Sequence, residues 1–478
     1  MTSASFPKQL LDGHALSTTV VLVGVFGPAV NTFITATVLP SVIKEIGGLP
    51  LYAWATTAYA VASIVGSAAS SILMRGLGTR VALIVAALIL VAGTAACGAA
   101  PSMAVVVAGR AIQGVGGGLT FGIVHGMVRE LFPEPMWPSR LALMSTVWGV
   151  AAIGGPFAGG LLAQWGMWRT AFWGMVPIIV APAVTSWWLL PRRTRRGPPA
   201  RVPLGRLLLI CAAVLCLATI ANVRGPTLRA GLALGALLAI TLTLRLDARA
   251  KLRLFPSDML SLGRPTGKAF AMIFLIAASG SPTGVFISLL TQVTHDVTPA
   301  AAGYFYAIQS LAWSITSLVS ARVRPERLRL ALVAGPLIMA AGLGGVALTI
   351  GPGPVPAIAA ALGVVGAGIG VCWAHIAKIV LASAREGEEE VSAALTPSAQ
   401  LFAVAFGAAG AGIVASATGL ANAATPAVAA LTGTVLFSIA ALGPLIAAGI
   451  AATLSTASAP SRGASAPPRG SRRLKGGT

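Results

Sequence analysis

Long unbroken runs of apolar residues, separated by short polar punctuation, dominate this chain. A helix needs roughly 20 such residues to cross the hydrocarbon core of a bilayer, and only helices or closed barrels satisfy their backbone groups there. The runs do not alternate with a period of two, so helices are predicted. The first six fall near Ala15–Ile43, Tyr52–Met74, Val81–Ala100, Met103–Leu131, Leu141–Trp165 and Thr170–Leu190. Two shorter spans follow, Leu204–Val223 and Ala230–Leu244, and then Ala269–Gln292, Ala300–Ala321, Leu328–Gly351, Pro354–Ala384, Val391–Gly419 and Thr425–Thr453. Fourteen transmembrane helices in the order six, two, six make an all-α polytopic membrane protein. The predicted organisation is a terminal stretch at 1–14, a six-helix bundle at 15–190, a linker with two extra central helices at 191–268, a second six-helix bundle at 269–453 and a tail at 454–478. The tail is rich in Ser, Pro, Gly and Arg, a composition that predicts disorder. The first span is too long for a removable signal peptide and lacks a small-residue cleavage site after it, so it is kept as a mature helix.

Composition sharpens the picture. Apolar residues make up 56% of the chain and charged ones only 9%, against about 25% charge in an ordinary soluble domain, and mean hydropathy is +0.87. A soluble multidomain enzyme and a disordered chain are both excluded. The net charge of +21 would suggest nucleic acid as a partner in a soluble protein, but its placement decides otherwise. With the spans above, the loops and ends on the side of the termini carry most of the basic residues, including six arginines from Arg192 to Arg206 and four from Arg322 to Arg329. The opposite side carries only Lys44, Arg169, Arg224 and Arg229. The positive-inside rule then puts both termini in the cytoplasm, and the basic excess reads as membrane orientation and attraction to anionic lipid, with no nucleic acid partner. Arginine far outnumbers lysine, and Ala and Gly abound, which points to a GC-rich bacterial genome and hence to an inner or plasma membrane.

Several chemistries are excluded on context. Gly263-Arg-Pro-Thr-Gly267-Lys268-Ala269 has the wrong spacing for a phosphate-cradling loop and no Ser or Thr after the lysine, so no nucleotide is expected. Gly114-x-Gly116-x-Gly118 and Gly366-x-Gly368-x-Gly370 lie inside spans, where close helix packing explains them better than a dinucleotide loop. Cys97, Cys211, Cys216 and Cys372 fall in apolar spans and suggest neither a disulfide framework nor a metal site. The side opposite the termini offers only Glu45 and Asp296, far apart in sequence, so no enzyme and no cofactor is expected. Six plus six helices with irregular Gly- and Pro-rich segments suit a secondary transporter built from two repeated halves around a central site.

Two motifs make this specific. Arg110-Ala-Ile-Gln113-Gly114-Val-Gly116-Gly117-Gly118 in the fourth span resembles the Arg-x-x-Gln-Gly-x-Gly signature of the major facilitator superfamily. Gly149-Val-Ala-Ala-Ile-Gly154-Gly155-Pro156-Phe-Ala-Gly159-Gly160 in the fifth resembles that superfamily's antiporter signature. Trp168-Arg169, the two central spans and Leu252-Arg253-Leu254-Phe255 are similar to the fourteen-helix drug:proton antiporter branch. The resemblance implies the major facilitator fold, with two six-helix bundles around a cavity, alternating access and the extra pair at the periphery. Its function would be efflux of a hydrophobic or amphipathic organic compound, as in multidrug resistance. Uptake of an organic metabolite is the rival direction, and a non-transporting receptor or scaffold the rival class.

The sequence departs from the family pattern twice. Arg75 stands where the loop after the second span usually has an acid, in Ser71-Ile-Leu-Met-Arg75-Gly76-Leu77-Gly78-Thr79-Arg80, so the usual charge latch involving Arg75 and Arg80 is altered. Asn31 stands where the first helix often has a carboxylate, in Asn31-Thr-Phe-Ile-Thr35-Ala-Thr-Val-Leu-Pro40, and no acid remains in the middle of any span. Coupling to protons therefore has no obvious carboxylate. His125 and His375 are the only groups inside spans that titrate near neutral pH, and become the coupling candidates.

The remaining polar residues inside spans suggest a binding face. Arg110 lies about seven residues from its helix end, on the order of 10 Å deep, where a cation faces either a cavity or a hydrogen-bonded partner. Asn31 and Thr35 share a face of the first helix, as cavity lining or as a contact between helices. Tyr306, Gln309 or Ser310, Trp313 and Ser317 share a face of the tenth span, suited either to a flat amphipathic ligand or to a polar helix contact. With Gln113 these form the expected substrate cavity. Gly114, Gly118, Gly122 and Gly126 form a smooth packing ridge. Gly149, Gly154, Gly155, Pro156, Gly159 and Gly160 are expected to serve helix packing and gating: the family resemblance implies a hinge or seal between the two halves, and ordinary helix packing is the alternative.

Overall fold

The computed structural model describes residues 14–133, 136–190, 203–223, 225–250, 253–351, 353–383, 385 and 389–454. Fourteen long helices appear among them, in the predicted order. The first six are α1 (Ala15–Ile46), α2 (Tyr52–Leu77), α3 (Thr79–Gly98), α4 (Met103–Leu131), α5 (Trp137–Gln164) and α6 (Trp168–Leu189). The middle pair is α7 (Leu204–Ile220) and α8 (Pro226–Ala248). The last six are α9 (Pro265–His295), α10 (Pro299–Ser320), α11 (Leu328–Thr349), α12 (Val355–Ala382), α13 (Glu389–Ala417) and α14 (Pro426–Ala452). Twelve of these are long and apolar enough to cross a membrane. The other two are α7, short at 17 residues, and α10, whose hydroxyl, amide and aromatic residues dilute its apolar character.

Several helices run past the predicted apolar limits because their polar end residues continue the helix beyond the hydrocarbon. Thus α1 reaches Ile46 through Lys44 and Glu45, and α8 begins at Pro226, where a missing N–H costs nothing. Glu389 and Glu390 open α13, whereas Glu386 and Glu388 lie outside the described residues, as do 1–13 and the tail from 455 onward. Between α1 and α2 the chain turns at Gly47 and Gly48, both at positive φ (69° and 84°), which side chains rarely adopt.

The two sets of six helices pack in the same pattern. α1 lies on α5 and α6 as α9 lies on α13 and α14, α2 and α3 pack on α4 as α10 and α11 pack on α12, and α3 meets α6 as α11 meets α14. The glycine triplets show the repeat in atomic detail. A Cβ at Gly114 or Gly118 would sit 2.4 Å from Tyr59 O or 2.1 Å from Ser63 O on α2, while one at Gly116 would sit 2.4 Å from Leu90 N on α3. In the second half, Cβ atoms at Gly366 and Gly370 would meet Gln309 O and Thr316 Oγ1 on α10 at 1.9 and 2.0 Å, and one at Gly368 would meet Met339 N on α11 at 2.3 Å. Two residues along a helix is a rotation of about 200°, so alternate glycines clear two neighbouring helices at once. Gly122 and Gly126 continue the ridge toward Ser70 and Met74 of α2.

The halves meet along two seams related by the repeat, α5 against α10 and α2 against α13. The middle pair breaks this equivalence. Cys211, Val214 and Ala218 of α7 pack with Ala60 and Val61 of α2 and with Ala405 and Ala409 of α13, so α7 lies across one seam, while α8 packs on α7. The chain joining α8 to α9 is fastened by buried Asp247, which pairs with Arg206 and accepts the backbone N–H groups of Leu254 (2.7 Å) and Phe255 (3.0 Å).

Candidate functional site

Four of the polar residues singled out in the first half converge on one network. Arg110 Nη1 donates to Asn31 Oδ1 (3.0 Å), Thr35 Oγ1 (3.4 Å) and Gln113 Oε1 (2.8 Å), and Nε donates to Ala55 O (3.2 Å). Gln113 Nε2 donates on to Thr94 Oγ1 (2.9 Å), and Thr35 donates to Asn31 Oδ1 (3.0 Å). The network ties α1, α2, α3 and α4 together. The guanidinium also lies over the ring of Tyr59, 4.1 Å from its centroid, which stabilises the cation further. Tyr59 and Thr94 were not foreseen. Thr94 carries one sequence signal, as a polar residue deep in an otherwise apolar span; Tyr59 carries none, because only the packed helices set it against the glycine ridge. Arg110 is 4% exposed and Asn31 and Gln113 are 0%, so all three lie buried between the helices in this state.

In the second half, Tyr306, Ser310, Trp313 and Ser317 are half-buried along α10. Gln309 is a correction. It is buried against α12, because its backbone must approach Gly366, and its Oε1 has no hydrogen-bond partner among the described residues. The adjacent Ser310 takes the place expected of it. Tyr306 bridges the halves, with its ring 5.4 Å from that of Phe33 on α1 and close against Gly284 on α9. Trp313 stands edge-on to Trp373 of α12, centroids 5.7 Å apart, a partner on a helix that the periodicity of α10 alone could not reveal.

The α5 glycines divide by helix face. A Cβ on Gly160 would lie 2.3 Å from Ala300 Cα on α10, and one on Gly303 of α10 would lie 2.4 Å from Thr37 Oγ1 and 2.9 Å from Pro156 Cβ, so Pro156 and Gly160 lie where the two halves meet. Gly155 and Gly159 instead face Phe33, Ile34 and Val38 of α1, in their own half. Gly154 is exposed, and a Cβ on it or on Gly149 would meet nothing within 4 Å. These two are corrected from packing positions to open ones, with different causes. Gly154 lies on the outer side of α5. Gly149 shares a stripe with Gly160, about three turns away, but at a level where the halves have separated. Leu318 agrees: it lies about five turns from Ala300 on one stripe of α10 and is 69% exposed. The α5–α10 seam is therefore shut at the end away from the termini and splayed at the end near them.

The charged and titratable candidates are separate from this network. Arg75 is exposed at the end of α2. Arg80 stacks over Trp187 of α6, 3.9 Å from the ring centroid, within its own half. His125 Nδ1 is 2.8 Å from Phe121 O, one turn back on α4. His375 Nε2 is 2.9 Å from Ser320 Oγ, joining α12 to α10. Among the described residues these contacts do not bring the two histidines together or beside a carboxylate.

The comparisons with known proteins agree with this architecture. The family profile described as Major Facilitator Superfamily matches residues 21–408. A probable multidrug-efflux transporter of Mycobacterium tuberculosis (strain ATCC 25618 / H37Rv) is 33% identical over 421 residues, covering 85% of this chain and 89% of that protein. The multidrug transporter protein MdtP of Bacillus subtilis (strain 168) is 26% identical over 185 residues, 39% of this chain and 34% of that one. Among solved structures, a POT family transporter in complex with a thioalcohol-conjugated peptide superposes with a TM-score of 0.66 at 14% identity, covering 91% of this chain and 95% of that chain. The human organic anion transporter MFSD10 does so at 0.61 and 14% identity, covering 92% and 99%. With its repeated halves, two inter-half seams and a buried Arg-x-x-Gln-Gly motif, this multi-pass membrane chain belongs to the Major Facilitator Superfamily and is a secondary transporter.

Proposed function

We propose that this protein exports a hydrophobic or amphipathic organic compound across a bacterial inner or plasma membrane by alternating access. The observation that carries the reading is the 33% identity over 85% of the chain to a protein named as a probable multidrug-efflux transporter. The site chemistry supports it, since Tyr306, Trp313 and Trp373 with the hydroxyls of Ser310 and Ser317 offer flat apolar faces edged by hydrogen-bonding groups. Helices 15–190 and 269–453 are the two bodies that rock, closing on Gly160 and Gly303 at one end and opening at the other. Purified protein in liposomes, tested on compounds that a deletion strain fails to clear, should move solute outward against its gradient. Purely inward movement would favour uptake of a metabolite, and no movement of any solute a receptor or scaffold.

Orientation has its own test. The basic excess of the loops and ends on the side of the termini supports cytoplasmic ends, with the splayed end facing inward. Reporters fused after Arg196 and Arg253 should both read as cytoplasmic, and one after Gly225 as external. If the fusions at 196 and 253 fall on opposite sides, the middle pair does not return the chain to the side it left.

A further inference from the structure

The Arg110 network holds more donors than acceptors. All its acceptors are neutral: one side-chain amide oxygen each from Asn31 and Gln113, the Thr35 hydroxyl and the Ala55 carbonyl. The Nδ2 of fully buried Asn31 has no hydrogen-bond partner among the described residues. The amide cannot be turned round to mend this, because its oxygen already accepts from both Arg110 and Thr35. Among the described residues no carboxylate accepts from Arg110. A buried cation without a counter-charge, beside an orphaned buried donor, is a costly arrangement that an ion of opposite sign relieves.

We propose that Asn31 and Arg110 form an anion-binding site, filled either by an acidic group of the transported compound or by a free halide. The substrate source rests on the export reading above; the halide source does not. An anion accepting from Asn31 Nδ2 beside the guanidinium neutralises the cation and satisfies the idle donor with one group. Carboxylates match the guanidinium fork best. Neutral compounds satisfy only part of this demand, and cationic ones meet repulsion from Arg110.

The test uses the full-length protein in detergent, with melting temperature read against four probes: chloride, 1-naphthoate, neutral 1-naphthamide and the cationic naphthylmethylammonium ion. Asn31→Asp supplies a carboxylate to Arg110 from inside, so it should fold at least as well as wild type and bind external anions at least about tenfold more weakly. Should Asn31→Asp fail to fold, Thr35→Asp delivers the carboxylate from the next turn of the same face. A stabilising shift of wild type by naphthoate but not by the amide or ammonium, lost in the aspartate variant, assigns the site to the substrate's acidic group. A shift by chloride that is likewise lost assigns it to a halide. No shift by either anion, or equal shifts in wild type and variant, overturns the proposal. The outcomes separate from those of the export reading: a protein that binds anions but moves nothing defeats export alone, and one that exports only cations defeats the substrate source alone.

Discussion

Gly160→Leu should reach the membrane folded and in normal amount, yet move its substrate at least about tenfold more slowly than wild type. The missing side chain at 160 lets α5 come so close to α10 that even a Cβ would lie 2.3 Å from Ala300 Cα, a backbone atom that cannot rotate away. Overpacking of this kind costs about 1–3 kcal/mol. Because the contact joins the two halves and belongs only to the state closed at that end, the penalty falls on one conformer rather than on the fold. A penalty of that size shifts a balanced two-state equilibrium by about 5–150-fold. Neighbours on the same helix give the contrast. Gly154→Leu should be silent, since its new side chain would meet nothing within 4 Å. Gly155→Leu should lower stability instead, because its Cβ would press to 2.6 Å on Phe33 Cβ inside the first half. Transport in proteoliposomes and melting temperature, measured on all three, separate these outcomes; a Gly160→Leu protein that transports normally rules out the seal.

Gly366→Val and Gly118→Val should not accumulate as folded protein. Their Cβ atoms would lie 1.9 Å from Gln309 O and 2.1 Å from Ser63 O, carbonyls already fixed in the hydrogen bonding of α10 and α2. Neither carbonyl can yield without its whole helix moving, and separating packed membrane helices forfeits the close contact that holds them together. A loss of about 3 kcal/mol or more is expected for each. Gly344→Val, where nothing lies within 4 Å, controls for the change of residue type. Size-exclusion profiles of fluorescently tagged protein report the folded fraction, and a monodisperse peak of normal height for Gly366→Val would contradict the account.

The helices were legible because crossing a bilayer imposes one requirement on every span, an apolar run of sufficient length, and the order six, two, six follows from counting. The ridge from Gly114 to Gly126 was legible too, since four-residue spacing marks one face of a helix. What escaped was everything set by helices far apart in the chain. Gly155, Gly159 and Gly160 read alike in sequence, yet two clear α1 and one clears α10. Gln309 and Ser310 were alternatives for one place on α10, decided by where Gly366 draws the backbone in. Arg110 announced itself by being a cation in a span, but its companions Ala55, Tyr59 and Thr94 come from two other helices, and no local period could nominate them.

The position of α7 has a consequence for compounds dissolved in lipid. By the internal repeat the two seams are equivalent, and each would offer a lateral doorway when the halves splay. α7 walls off the one between α2 and α13, with α8 behind it as a second layer. Among the described residues nothing comparable covers the one between α5 and α10, which is flanked by Ile153 and Phe157 on one side and Ile315 and Leu318 on the other, all more than half exposed. A hydrophobic molecule diffusing in the leaflet nearest the termini thus finds a single doorway, and the two helices added to the twelve make a symmetric machine one-sided toward its solvent.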